Sequence, residues 1–473
     1  MKNIKPTLII FVCLFAISSI ALEAKAGVSN QDKVAKKILD ATGVKGGFIV
    51  HIGCGEGKLT AALRAGDSYL VHGLDKDAKS IQRARDYIQS LGIYGKVSME
   101  QWSEKALPYN DNVVNLLVAE NPGDISMDEV MRVLCPNGVV YLKRGQKWKK
   151  IIKPRPPNID EWTHFLHGAN NNAVAKDARV ATPNHLQWET EPKRTRDHDA
   201  QASISAMTSS NGRIFYILDE GLTSLLHHPA KWKLIARDAF NGKLLWKRDI
   251  NSWITHLHYF RSGPVQLPRL LVSVDDRVYV TLGFNAPISM LDAATGRTVL
   301  TYEGSEKTEE LICHDDILLT VIGDSNIMND EAPKIYGYWE LSVDRKSDID
   351  KSIVAYNAKT GEILWKKTGD NLAYLVPLSL SACKDRVFFL DNESLHCISS
   401  KTGNDIWSVP LPTKGLFLRN YAPTVVAYDD VVMCLTFNRL CSFSSENGKK
   451  LWEHKGAIGF ASPGDLFVID GLA

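Results

Sequence analysis

From about residue 158 onward, the apolar residues fall into short runs separated by polar turns. Asp276 to Thr281, Ile353 to Tyr356, Asp385 to Leu390 and Asp430 to Cys434 are such runs. They are rich in Val, Ile, Leu and aromatic side chains, and their length predicts strands rather than helices. One phrase recurs among them: an Asp, Asn or Ser, a glycine four residues on, and a tryptophan or leucine four residues after that. Its five copies are Asp238-Gly242-Trp246, Asp292-Gly296-Leu300, Asn357-Gly361-Trp365, Ser399-Gly403-Trp407 and Ser444-Gly448-Trp452, with glycines 54, 65, 42 and 45 residues apart. The Asn-Gly and Thr-Gly pairs supply the positive φ that a tight hairpin needs. With the strands upstream of each phrase, every unit holds four strands, the pattern of a β-propeller blade. The tryptophans read as wedges between blades, where a large aromatic at a strand end buries a large apolar area. Leu300 suits the same place.

A different pattern occupies residues 31 to 145. A helical stretch leads into the apolar run Gly47 to Ile52, followed by glycines at 53, 55 and 57. Lys58 to Ala65 then reads as a helix and Tyr69 to Leu74 as a second strand, ending in Asp75, eighteen residues beyond Gly57. Strand, glycine turn, helix, strand and acid form the opening βαβ unit of a doubly wound sheet. Glycine lets the backbone approach a ligand closely, and Asp75 is placed to accept bonds from ribose hydroxyls.

The repeated phrase resembles the blade motif of the pyrroloquinoline-quinone-type propeller repeats, which quinoprotein dehydrogenases share with non-enzymatic scaffold propellers. The likeness covers about residues 158 to 473, and Glu161 to Val174 followed by Leu186 to Trp188 is similar to the opening of such secreted propellers. The glycines at 53, 55 and 57 resemble the G-x-G-x-G turn of class I S-adenosylmethionine methyltransferases, and Lys58 stands where a dinucleotide fingerprint has its last glycine. Leu107 to Asn112, Val113 to Val118 and Glu129 to Gly138 resemble later elements of the same family. Together these imply a multidomain fold: a Rossmann-like α/β domain followed by an all-β, quinoprotein-like propeller. They also imply S-adenosylmethionine as the cofactor of Gly53, Gly55, Gly57 and Asp75.

The chain departs from that second pattern at polar positions. His51 stands where the family has an acid before the glycines, and Asn115 where it has an Asp on the fourth strand. The acid that meets the adenine amino group falls near Trp102 or Ser103. Acceptors that a cationic, donor-rich cofactor would use are lost, and an unpaired polar atom costs about 1 to 3 kcal/mol. Weak affinity is expected. On the propeller side, the resemblance implies a quinone over a calcium ion, often beneath a disulfide of adjacent cysteines. The sequence contains no adjacent cysteine pair, and pyrroloquinoline quinone is not expected. The polar clusters Arg194 to Asp199 and His256 with His258 read first as surface or packed residues, with metal or quinone binding as the alternative.

The chain of 473 residues, 44% hydrophobic and 23% charged, is long enough for two or three globular domains. A formal net charge of +2 argues neither for nor against a polyanionic partner, and no nucleic-acid partner is expected. The basic run from Lys143 to Arg155 carries seven basic and no acidic side chains and is expected to be a solvated linker. Lys2 and Lys5, the apolar run Leu8 to Ile20 and Ala24-Lys25-Ala26 have the three parts of a secretory signal peptide. The expected organisation is therefore a signal peptide over 1–26, the α/β domain over 31–145, a basic, proline-containing linker over 146–160 and propeller repeats over 161–473. Export to the periplasm or cell exterior follows, with no membrane span after signal removal and a retained signal anchor as the alternative. Seven cysteines then remain, an odd number without metal-like clustering; Cys434 with Cys441 and Cys383 with Cys397 are read first as free and packed, with a cross-link in an oxidising compartment as the alternative.

Export separates the chain from S-adenosylmethionine, which is made in the cytosol. The expected function is therefore an extracytoplasmic binding or scaffold protein for a protein or polysaccharide, with a degenerate methyltransferase-like domain. A working methyltransferase and a quinone-dependent dehydrogenase are the alternatives. The polar excursion Asp324 to Asp350 favours a loop with a role in binding. Five phrases and the opening of a sixth unit at Phe467 to Ala473 fall short of a full ring, so a longer protein or an unusual closure is expected. An open ring would expose strand edges.

Overall fold

The computed structural model describes residues 29–473 apart from 121–124, 146, 181, 183–185, 192–203, 224–230, 252–266, 284, 324–350, 377, 413–423, 437–438, 457, 460–461, 464–465 and 473. The signal segment, the Arg194 to Asp199 cluster, His256 with His258 and the excursion 324–350 lie outside the described residues.

The first domain opens with helix α1 (Asn30–Thr42), started by a reciprocal Ser29–Asp32 capping box and stopped by Gly43 in the left-handed region. Strand β1 (Gly47–Ile52) follows, then α2 (Lys58–Leu63), β2 (Tyr69–Asp75), α3 (Ala78–Ser90), β3 (Val97–Gln101), β4 (Val114–Ala119), α4 (Met127–Val133), β5 (Leu134–Arg144) and β6 (Lys147–Ile152). The sheet runs β3-β2-β1-β4-β5-β6, parallel except for β6, which pairs antiparallel with β5. The central strands read as nearly unbroken apolar runs because both sheet faces are covered. Ile49, Val71 and Val118 pack under α1, α2 and α3, while Val50, Leu74 and Leu117 pack under α4 and the segment 102–113. The basic segment expected as a linker includes β6, an edge strand: Lys147 and Lys149 are exposed, Lys150 donates to the α1 carbonyls of Ala41 and Thr42 at 3.2 and 2.8 Å, and Tyr141 and Trp148 stack at 4.8 Å. Lysines on an edge strand also discourage pairing with other chains.

Five four-stranded antiparallel sheets follow, each a meander in chain order. Their first strands, Ile204–Ser210, Leu271–Val274, Thr308–His314, Ser381–Cys383 and Val425–Tyr428, lie side by side around a common hub. The outer strands are Leu244–Asp249, Thr298–Thr301, Ile363–Lys367, Asp405–Pro410 and Lys450–Lys455.

The repeated phrase joins neighbouring blades. In each copy the Asp, Asn or Ser side chain caps the turn; Asp238 Oδ1, for example, accepts the backbone N–H of Phe240 at 2.9 Å and of Asn241 at 3.1 Å. The glycine has φ between 69° and 77°, and the wedge of the preceding blade lies flat against it. A Cβ on Gly296 would meet the Trp246 ring at 2.5 Å, on Gly361 it would meet Leu300 at 2.9 Å, and on Gly403 it would meet Trp365 at 2.6 Å. Each indole also donates into the next blade: Trp246 to Ala293 O at 2.9 Å, Trp365 to Ser400 O at 2.8 Å and Trp407 to Ser445 O at 3.1 Å. Trp188 does the same for blade 1, lying on Gly242 and donating to Ala239 O at 3.0 Å. Trp452, in an outer strand exposed along its length, is 36% accessible. Cys434 and Cys441 face each other across one strand pair, and all seven described cysteines are free thiols.

The domains meet where the sheet's strands begin. Asn115, near the start of β4, accepts the Phe48 backbone N–H at 2.7 Å and the Asn241 side chain at 2.8 Å, and donates to Asp238 Oδ2 at 2.6 Å. Lys45 reaches Asp292 of the second blade at 3.0 Å. The turn residues of blade 1 thus grip the α/β domain.

Candidate functional site

Two places gather polar residues: the crevice at the carboxyl ends of β1, β2 and β4, where open α/β sheets hold their ligands, and the propeller hub.

At the crevice, β1 ends in the glycine turn. Gly53, Gly55 and Gly57 all have positive φ, at 74°, 52° and 77°. Cβ atoms on Gly53 and Gly55 would meet nothing within 4 Å, so the backbone is bare toward the crevice. Gly57 differs: a Cβ there would fall 2.7 Å from Met99 Cε, so this glycine serves the packing of α2 against α3 and β3. Asp75 closes the cradle, its carboxylate accepting Gly55 N–H at 2.9 Å and Asp77 N–H at 3.0 Å. A carboxylate accepts about four bonds, so Asp75 keeps capacity for a ligand's hydroxyls.

The departures from the methyltransferase pattern fall into two groups. Asn115 is remote: it sits at the opposite end of the sheet from the glycine turn and holds the domain junction, so its lack of charge says nothing about a cofactor. Trp102 is buried, donating to Ala106 O at 2.9 Å, and Ser103 beside it is exposed. His51 is at the crevice. It is 2% exposed, lies one residue before the end of β1, and bonds the Thr60 hydroxyl of α2 through Nδ1 at 2.8 Å. Its Nε2 is buried without a partner among the described residues. Burial holds its pKa down to about 4, against the pull of Glu120 and Asp75. Thr60 could not be paired with His51 in sequence, because nine residues and a glycine turn separate them.

A consequence is a pH dependence local to this domain. With His51 at about 4 folded and 6.5 in the unfolded chain, the unfolded state binds more protons between these values, so stability falls as pH drops from 6.5 toward 4. The loss approaches about 3 kcal/mol. Hydrogen exchange at β1 amides between pH 7 and 4 should show it, and the His51 ring should not titrate between pH 5 and 8 by NMR. A ring titrating near 6.5 would refute the account.

At the hub, the opening segment Trp162 to Asn172 passes from blade to blade. Ser209 donates to Trp162 O at 2.6 Å, Ser273 to Thr163 O at 2.9 Å, Cys313 to His164 Nε2 at 3.0 Å, Ala382 to Ala169 O at 2.8 Å and Ala427 to Asn170 O at 3.1 Å, all through backbone N–H groups. Val468, in the sixth unit, donates to Asn172 Oδ1 at 2.8 Å. Arg269 bonds Asn171 at 2.8 Å and faces Glu310 at 3.3 Å, and Lys351 pairs with Glu309 at 2.9 Å. Burial raises Glu310 to about 7, with Arg269 pulling the other way. The inner strands are therefore tied together at the hub by the chain's own segment, with Arg269 facing Glu310 and Lys351 paired with Glu309. Among the described residues, no group of three or more His, Cys, Asp or Glu could hold a metal ion.

Comparison with known proteins matches each half separately. A model of the family described as outer membrane protein assembly factor BamB matches residues 230–470, and a methyltransferase domain model matches 49–138. Demethylmenaquinone methyltransferase of Lactobacillus johnsonii is 31% identical over 136 residues, covering 27% of this chain and 56% of that protein. The chain thus spans about half the length of this curated relative. Among solved structures, an Aquifex aeolicus SAM-dependent methyltransferase is 21% identical, covering 23% of this chain and 62% of its own, with TM-score 0.21. The geranyl diphosphate C-methyltransferase of Streptomyces coelicolor is 18% identical, covering 24% and 45%, with TM-score 0.22. The chain carries a methyltransferase domain followed by propeller repeats, and by the match from the third strand of blade 1 into the sixth unit it belongs to the family described as outer membrane protein assembly factor BamB.

Proposed function

We propose that this is an extracytoplasmic binding or scaffold protein whose propeller holds a protein or polysaccharide partner. The observation that carries the reading is the segment that ties the hub. With Trp162 to Asn172 bonded to successive inner strands, the hub residues serve the ring's own structure, and the blade faces and loops are left for recognition. The family description, an outer membrane assembly factor, agrees with such a role. Among the described residues no helix is long and apolar enough to cross a membrane. The fold by itself does not choose the partner.

A SAM-dependent methyltransferase is the second reading, favoured by the bare glycine cradle and Asp75. The full chain expressed in a Gram-negative host is expected in the periplasmic fraction with residues 1–26 removed, as read by mass. In calorimetry it should give no heat with pyrroloquinoline quinone and calcium. A cytosolic chain that retains residues 1–26 and binds S-adenosylmethionine at micromolar concentration, with binding lost in Asp75→Ala, would replace the scaffold by the enzyme.

A further inference from the structure

The glycine cradle holds a feature that neither domain's resemblance accounts for: a buried polar atom without a partner at the position where the methyltransferase pattern has an acid. His51 Nδ1 and the Thr60 hydroxyl are 2.8 Å apart, and among the described residues this is the hydroxyl's one bond. A hydroxyl needs an acceptor for its proton, and Nδ1 can be that acceptor only if the ring carries its own proton on Nε2; network satisfaction assigns this tautomer. Nε2–H is then a donor, buried, with no acceptor among the described residues. Leaving such a group unmet costs about 1 to 3 kcal/mol, a cost that a ligand acceptor would remove.

The surroundings define the rest of the ligand. The bare backbone at Gly53 and Gly55 admits a group in close contact. Asp75, at the end of the neighbouring strand, retains acceptor capacity for a ribose diol. The two acids whose charge reaches His51 are already engaged: Glu120 is paired with Lys143 at 3.0 Å, and Asp75 accepts two backbone N–H groups. An ammonium group would meet the Nε2–H donor head-on, whereas an oxygen acceptor would complete it.

We infer that this crevice is a binding site for a ribonucleoside whose 5′ substituent presents an oxygen acceptor, as in a nucleoside 5′-phosphate, and that His51 turns it away from the ammonium-bearing cofactor of its fold. This goes beyond the scaffold reading and does not depend on it.

Adenosine 5′-monophosphate and S-adenosylmethionine titrated into the full chain by calorimetry provide the test. The wild type should bind the monophosphate at least tenfold more tightly, and Asp75→Ala should weaken that binding at least tenfold. The His51 Nε2–H resonance should shift on addition of the monophosphate. His51→Asp, which restores an acceptor, should reverse the order of the two ligands, while His51→Asn, which keeps a donor, should preserve it. Equal or tighter wild-type binding of S-adenosylmethionine, no binding of the monophosphate, or an imidazole resonance indifferent to it would each overturn the assignment. The wild-type ratio and the resonance decide the matter even if a variant fails to fold.

Discussion

Asn171→Ala is expected to destabilise the propeller hub by about 5 kcal/mol. Asn171 is 1% exposed and uses both ends of its amide. Nδ2 donates to Leu380 O at 2.8 Å and Val425 O at 3.1 Å, joining blades 4 and 5, and Oδ1 accepts Arg269 Nη1 at 2.8 Å. Truncation strands two buried carbonyls and part of a buried guanidinium together. Each unmet neutral group costs about 1 to 3 kcal/mol and a charged one more, and breaking a buried charged network costs about 3 to 5 kcal/mol. Among the described residues Arg269 has no reserve partner, because its Nε is already unsatisfied and its remaining contacts are Glu310 and the face of Phe165. Hydrogen exchange of the amides at 381–383 and 425–428 reads the loss locally, without requiring the two domains to unfold together. Asn170→Ala is the control. Asn170 reaches blade 5 through its backbone carbonyl, which the substitution leaves in place, so its effect should stay near 1 kcal/mol. If Asn171→Ala stays within 1 kcal/mol of the wild type, the opening segment is not what ties the inner strands.

The hub and the crevice were legible in sequence to different degrees, for a physical reason. A blade is local: its strands, turn and wedge lie within one unit, so the phrase from Asp292 to Leu300 is visible as a pattern before any contact is known. The glycine turn and Asp75 are also local, since a βαβ unit fixes their spacing. The partners were not legible. Trp246 lies on Gly296, fifty residues on, and His164 accepts from Cys313, separated by 149 residues. The run Glu161 to Val174 showed its unusual richness in His and Asn, but only the ring converts those residues into one contact per blade. Asn115 shows the opposite error. Its place in the fourth strand suggested a cofactor position, whereas the strand's direction puts it at the domain junction. The lysines of β6 looked like a solvated linker because an exposed edge strand with outward charges has the same composition.

The wedge rule yields the second large effect. Trp365→Ala is expected to cost about 4 kcal/mol, within the range for truncating a buried aromatic, since Trp365 is 8% exposed and loses its indole bond to Ser400 O as well as its packing. Gly403→Ala should cost about 2 to 3 kcal/mol for two reasons: φ of 70° is strained for a residue with a side chain, and the new Cβ would press 2.6 Å from the Trp365 ring. These two losses share a cause, so they should not add. Removing the indole opens the space that the alanine methyl needs, and the double variant should be at least 1 kcal/mol more stable than the sum predicts. Gly361 offers a matched comparison, because Leu300 occupies the wedge position there and a leucine's far end gives way more readily than a ring face. Gly361→Ala should therefore cost less than Gly403→Ala. Additive losses at Trp365 and Gly403, measured by denaturant unfolding, would show that the phrase's glycine is kept for its turn alone. Coupling would show that the same nine residues encode both the hairpin and the fit of one blade against the next.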